Sequence, residues 1–308
     1  MALISRAAQV SPPTVYAGMC DASGAVALDH ELFVVADDED NKLRVYHSLT
    51  GGPPVKVFDP SNFLRLDPKE PEIDLEGAAR IGDRIYWITS HGRNRNAKYR
   101  ESRLRFFAMD ITKTNGLELK PAGKFYSLLL LDLFNDPRLK KFRLDAAAAL
   151  APKSPDGFNI EGLSPTPDGK LLIGFRNPLP QGRALLVPLL NPADVILGKP
   201  VELGDPILLD LGKRGIRAMT LYEGKFLIIA GAIDSTRDAK LFLWSGGNAK
   251  AQPLPIDVTV FNPEAIAVYP GEKRIQVFSD DGTVMVNGVP CKKLPPDQRS
   301  FRAVWVTF

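Results

Sequence analysis

An all-β fold, built as a ring of similar small sheets, is predicted for this chain by three observations. The first is repetition: five segments align on a small residue that follows a polar position, at Gly24, Gly77, Gly162, Ala218 and Ala265. The second is spacing, because all but one of the steps between these anchors lie near 50 residues, the period of architectures that use one sheet per repeat. The third is the internal pattern of each unit, in which small residues, a turn and a β-branched or aromatic run follow one another. Together they predict a β-propeller of five four-stranded blades, with six blades left open by the long step from Gly77 to Gly162.

The strands can be justified in order. The inner strands begin at "CDASGAVAL", "DLEGAARI", "NIEGLSP", "RGIRAMTLY" and "NPEAIAVY". Turns such as "GD", "PDG", "EG" and "PGE" lead to second strands at "ELFVVA", "RIYWITS", "KLLIGF", "KFLIIA" and "RIQVFS". Third strands are expected at "KLRVYH", "RLRFFAMDI", "RALLVPLL", "KLFLWSG" and "GTVMVNG", and fourth strands at "VKVFD", "KFYSLLLL" and "PILLDL". The chain ends, "TVYAG" near Thr14 and "SFRAVWVTF", are both strand-like and are expected to pair in the closing blade, where they would protect its edge.

The long step also holds "NDPRLKKFRLDAAAALAP". Asp136 is placed to cap, Pro137 suits a first turn, alanines fill the body and Pro152 ends it, so a helix is expected over about 137–151. No linker rich in Gly, Ser or Pro divides the chain, which is read as one propeller domain over residues 1–308.

The 308 residues are 44% apolar and 24% charged, with a formal charge of +3. That balance gives nucleic acid no electrostatic footing as a partner. No window approaches the run of roughly 18 apolar residues that a spanning helix needs, and the apolar run near the N-terminus is too short for a signal peptide. A cytoplasmic protein without a membrane partner is expected, with Cys20 and Cys291 as reduced thiols, although ring closure would bring the two together.

The loops entering the inner strands and those joining second to third strands share one face of a propeller, so their polar residues should converge. Before the inner strands stand Asp21, Glu76, Glu161, Arg217 and Glu264. After the second strands stand Asp37, Asp38, His91, Arg93, Asn94, Arg176, Asn177, Asp234, Asp280 and Asp281. Three glutamates around one axis repel unless cations, arginines or protons offset them. Two readings stay open: a self-satisfied Glu and Arg network, or a seat for a hard cation such as Ca²⁺, which accepts carboxylate and amide oxygens of the kind Asn94 and Asn177 offer. The loop after His91 carries Arg93, Arg95, Lys98, Arg100, Arg103 and Arg105, a solvated tip or an anion clamp. No GxSxG elbow, phosphate-binding loop or HExxH motif is present.

At "DDEDN", "DLEGAARIGDRIYWITSHGRN", "NIEGLSPTPDGKLLIGFRNP", "ALLVPLLNP" and "DPILLDLG" the chain resembles an uncharacterised bacterial family of domains of unknown function, a resemblance that implies no activity. The "DLEG" and "NIEG" starts are more distantly similar to esterase-like phytase domains and to gluconolactonase-like propellers. That similarity implies that Glu76 and Glu161 are metal ligands, and Arg217 is a departure from it.

These readings combine into one expectation. The chain is read as a divalent-metal-dependent hydrolase of a small anionic ester, phosphoester or lactone at the channel mouth. Glu76, Glu161 and Glu264 would hold the metal, Glu76 and Glu161 would also act in catalysis with His91 moving protons, and Arg93, Asn94, Arg176, Asn177 and Arg217 would bind substrate. The alternative is a non-catalytic propeller that binds a small ligand or a protein partner on the same face.

Overall fold

Five four-stranded antiparallel sheets stand in a ring in the computed structural model, which describes residues 8–114, 116–258 and 261–308. Blade 1 runs outward through Ala22–Ala27, Leu32–Asp37, Leu43–His47 and Lys56–Phe58. Blade 2 uses Leu75–Ile81, Arg84–Thr89, Phe106–Thr112 and Glu118–Tyr126, and blade 3 uses Asn159–Pro165, Leu171–Asn177, Ala184–Leu189 and Ile207–Leu209. Blade 4 uses Gly215–Tyr222, Lys225–Gly231, Lys240–Trp244 and Gln252–Pro253. The inner strands neighbour one another in chain order, and that of blade 5 returns to that of blade 1. The fold is therefore the five-bladed propeller.

Blade 5 closes the ring. Pro263–Val268 pairs with Arg274–Ser279, which pairs with Ser300–Thr307. The outermost position is filled by the N-terminal segments Gln9–Val10 and Thr14–Ala17, both antiparallel to Ser300–Thr307. The two chain ends pair as expected. The closing seam is held by a buried network in which the Tyr16 hydroxyl donates to Ser48 O at 2.6 Å and Gln276 Nε2 donates to the Tyr16 hydroxyl at 2.7 Å. Phe33, Tyr46, Phe278 and Phe301 pack around it. Each such ring contributes about 2 kcal/mol by leaving water.

Five apolar clusters fill the gaps between successive blades, the fifth lying between blade 5 and blade 1. The sheet-on-sheet packing explains the continuous apolar second strands: both faces of a blade meet a neighbour, so alternation is lost.

Three local expectations are corrected. The "GTVMVNG" segment is not a third strand but a separate hairpin, Met285–Val286 with Val289–Pro290, because Ser300–Thr307 is longer and more apolar and takes that place. The fourth strand of blade 2 begins earlier, at Glu118, while the leucines of "KFYSLLLL" enter the helix Leu129–Asn135, whose Leu129, Leu130 and Leu133 are buried at helical spacing. The helix expected over 137–151 is replaced by that earlier helix, a short turn at Lys140–Phe142 and a second short helix at Leu144–Ala147. Pro137 forces Asp136 into an extended conformation, and Arg143 at φ 51° breaks the chain again.

Cys20 and Cys291 form a disulfide, so the expectation of reduced thiols is overturned. Ring closure overrides a sequence separation of 271 residues. Among the described residues, no helix is long and apolar enough to cross a membrane.

Candidate functional site

The five inner strands share one irregularity. In blade 2, Leu75 pairs with Thr89 and Gly77 with Ile88, leaving Glu76 as an extra, unpaired residue. The same interruption isolates Glu161 in blade 3, Arg217 in blade 4, Glu264 in blade 5 and Ser23 in blade 1. A bulge bends the strand and re-aims one side chain, and here it does so five times around one axis. The small anchor residue after each bulge lets the blades approach closely: a Cβ on Gly77 would lie 2.8 Å from Ile88 Cγ2 and 3.0 Å from Leu163 Cβ. Ser23, rather than Asp21, is therefore the equivalent position in the first repeat. Its hydroxyl donates to Leu75 O of the next blade.

Above this ring lies a cavity of about 570 Å³. Asp21, Asp38, Glu76, Glu161, Glu264 and Asp280 contribute to its wall, together with Asn94 and Arg176. The chain topology brought these predicted residues together. Further in, the space between Gly24, Gly77, Leu163, Ala218 and Ala265 amounts to about 10 Å³.

The wall has two electrostatic halves. On one, the bulge residues neutralise each other: Arg176 Nη1 donates to Glu161 Oε1 at 2.7 Å, Arg217 pairs with Glu264, and Arg217 Nε stands 3.9 Å from Glu161 Oε2. Arg176 also donates to Ala232 O at 3.0 Å and Asp234 O at 2.6 Å, and Arg217 to Asn262 Oδ1 at 2.9 Å. Burial, and then the charge of Arg176, pushes Arg217 down to about 10.

The other half is acidic. Ligand oxygens of Asp21, Asp38 and Glu39 all lie within 4.8 Å of one another. Burial, and then the charge of Asp280, pushes Asp21 up to about 9. Asp38 is raised well above the carboxylate range by burial and then by Asp21 and Glu76. Glu76 is raised in the same way, by burial and then by Glu161 and Asp74. Gly282 leaves room for this group, since a Cβ there would lie 1.7 Å from Asp21 Oδ1.

Among the described residues, three acceptor atoms of the wall, Asp38 Oδ1, Asn159 Oδ1 and Glu161 Oε2, have no hydrogen-bond partner. Asn159, 5% exposed, donates its Nδ2 to Glu161 Oε1 at 2.7 Å, which leaves Asn159 Oδ1 unpaired. Glu161, 4% exposed, accepts both of its bonds on Oε1, which leaves Oε2 unpaired.

Other predicted site residues lie elsewhere or, like Asn94 in the wall, are engaged by neighbouring groups. His91 is buried and is not among the residues lining the cavity. Its Nδ1–H donates to Thr89 O at 2.8 Å, and burial pushes it down to about 4, so the ring is neutral near pH 7. Arg93 donates to Ala148 O and Ala97 O and lines a different groove. The Oδ1 of Asn94 is engaged by the amides of Asn96 and Lys98, and Asn177 ties down Pro152 O and Ser154 O. Asp37 faces Arg44 at 3.7 Å, and Asp281 pairs with Arg302 at 2.7 Å.

Within the cationic loop, Arg100 pairs with Glu70, and Arg103 with Glu72 and Asp74. Asn159 and Asp74 line the cavity without having been singled out. The signal was present, because each stands two residues before the bulged glutamate in "NIEG" and "DLEG". Lys153, Lys292 and Lys293 carried no such signal.

Comparison with known proteins agrees with this architecture. The chain resembles a crystal structure of glutaminyl cyclase from Myxococcus xanthus at 14% identity, with a TM-score of 0.51 over 98% of each chain. It also matches a PQQ-bound aldose sugar dehydrogenase from Streptomyces coelicolor at 11% identity, with a TM-score of 0.49 over 97% of this chain and 98% of that one. At these identities the likeness is one of fold. No curated protein sequence matches. A family model described as "Protein of unknown function (DUF3616)" matches residues 21–113 and 112–266.

Proposed function

The chain belongs to the DUF3616 family of unknown function, and from that premise we propose its activity on the chemistry of its own site. We read it as a divalent-cation-dependent hydrolase of a small anionic ester, phosphoester or lactone, acting in the cavity at the channel mouth. One observation carries this reading: Glu161 Oε2 and Asn159 Oδ1, which accept no hydrogen bond, belong to a wall that also holds Glu76, a glutamate in no direct ion pair among the described residues. Buried oxygens without donors are costly, and carboxylate and amide oxygens are the ligands that a hard cation such as Ca²⁺ prefers.

Glu76, Glu161 and Asn159 would hold that cation. Bound there, it would polarise the ester oxygen and acidify a water molecule. Asp38, which lines the same cavity with an Oδ1 that accepts no hydrogen bond, would in its ionised form take the proton from the attacking water. His91 has no part in this scheme, being turned onto Thr89. Arg176 and Arg217 fix Glu161 and Glu264 instead of binding substrate directly.

The test is thermal unfolding of chelator-treated protein against Ca²⁺, Mg²⁺, Mn²⁺ and Zn²⁺, with Glu76→Gln alongside. One cation should raise the midpoint in a concentration-dependent way, and Glu76→Gln should abolish the rise. If no cation does so in the wild type, the reading fails and the ionic floor serves structure alone.

A further inference from the structure

Most cations around the cavity are already engaged. Arg176 and Arg217 are bound to Glu161 and Glu264, Arg103 to Glu72 and Asp74, and Lys292 donates to Glu39 at 2.6 Å. Among the described residues of the wall, Arg95, Lys153 and Lys293 are exposed and have neither an ion pair nor a hydrogen-bonding side-chain partner. They come from three separate segments: the loop after the second strand of blade 2, the end of the insertion before blade 3, and the turn after the hairpin of blade 5. The cavity thus has an acidic floor and a rim of unengaged positive charge.

Resting on the hydrolase reading above, we infer that the substrate is a small polyanion, with one anionic group at the floor cation and a second held at the rim by Arg95, Lys153 and Lys293. A ligand with a single charge could satisfy the floor or the rim, but not both. A neutral lactone would leave the rim unused. Arg95 presents a planar fork suited to phosphate or carboxylate, whereas the two lysines act as adaptable point charges.

The layering also sets an order of dependence. The acidic half of the floor offers an anion only carboxyl groups, so an anionic group gains an attraction there only once a divalent cation is bound. Cation and polyanion therefore bind cooperatively, each raising the affinity of the other by the same factor.

Calorimetric titration of the full chain tests this with 2-phosphoglycolate, which carries two anionic groups, and with inorganic phosphate, which carries one. Each is titrated with and without Ca²⁺, into wild type and into the triple variant Arg95→Ala, Lys153→Ala, Lys293→Ala. Stabilisation by Ca²⁺ alone is measured on both proteins. The expected result is equal stabilisation of both proteins by Ca²⁺, tight binding of phosphoglycolate by the wild type only when Ca²⁺ is present, and at least a tenfold loss in the variant. Inorganic phosphate should lose much less.

If Ca²⁺ stabilises both proteins but phosphoglycolate binds them alike, or binds neither, the polyanion inference is overturned and the hydrolase reading stands. If Ca²⁺ does not stabilise the wild type, the bridging arrangement falls together with the cation site it requires.

Discussion

Arg176 Nη1 and Glu161 Oε1 stand 2.7 Å apart, with side chains that are only 3% and 4% exposed. One residue is the last but one of the second strand of blade 3 and the other is the bulged residue of its inner strand, so the pair spans the hairpin at the channel mouth. Removing two charges from water is expensive, and the pair persists because Arg176 places its remaining donors on two backbone carbonyls while Asn159 supplies a second donor to Glu161.

Breaking this pair from one side should therefore be costly. Glu161→Gln leaves Arg176 buried without its counter-charge and is expected to destabilise the protein by about 3 kcal/mol, read as a fall in the denaturant midpoint at unchanged slope. Replacing both partners, as Glu161→Leu with Arg176→Met, should recover much of that loss. A single variant as stable as the wild type would contradict the pairing.

The acidic half predicts a dependence on pH with a definite sign. The folded state holds a proton on Asp21 up to about pH 9, whereas the unfolded chain releases it near about pH 4. The contribution of Asp21 is thus fully present below about pH 4 and is lost as pH rises towards about 9. Chelator-treated protein should show a falling thermal midpoint across the neutral range, and Asp21→Asn should flatten the fall. His91 acts from the other side: pushed down to about 4 by burial, it contributes stability above about pH 6.5 that is lost as pH falls towards about 4. An Asp21→Asn profile as steep as that of the wild type would refute the assignment.

The disulfide joins positions separated by 271 residues, and in the chain-entropy picture a long closed loop gives a bridge its largest effect. Reduction, or Cys20→Ser with Cys291→Ser, should cost about 5 kcal/mol. The ring should still close through Thr14–Ala17 on Ser300–Thr307. Circular dichroism should retain the β spectrum while the unfolding midpoint falls. A midpoint that does not respond to reductant would show that the seam is held by strand pairing alone.

Much of the fold was legible because its determinants are local. Small anchors, "PDG" or "EG" turns and β-branched runs recur at each repeat, and strand pairing across a short turn needs no information from elsewhere in the chain. The failures occurred where a distant competitor decided the outcome. "GTVMVNG" has strand composition, yet the longer Ser300–Thr307 occupies the site beside Arg274–Ser279. The alanine-rich stretch after Pro137 has helical composition, yet the leucines before it bury their face first and the proline ends that helix.

By itself, the sequence determined the five-fold repetition, the placing of acidic residues at the inner-strand starts and the pairing of the chain ends, since each follows from periodicity and topology. Tertiary structure alone decided which charges are spent. The bulges turn Glu76, Glu161, Arg217 and Glu264 to a common axis, where distances of a few ångströms make Arg176 and Arg217 counter-ions of the floor and leave Arg95, Lys153 and Lys293 at the rim without an ion pair among the described residues. Electrostatic energy depends on separation and burial, not on order along the chain, so residues from different blades acquired their roles only when the ring closed.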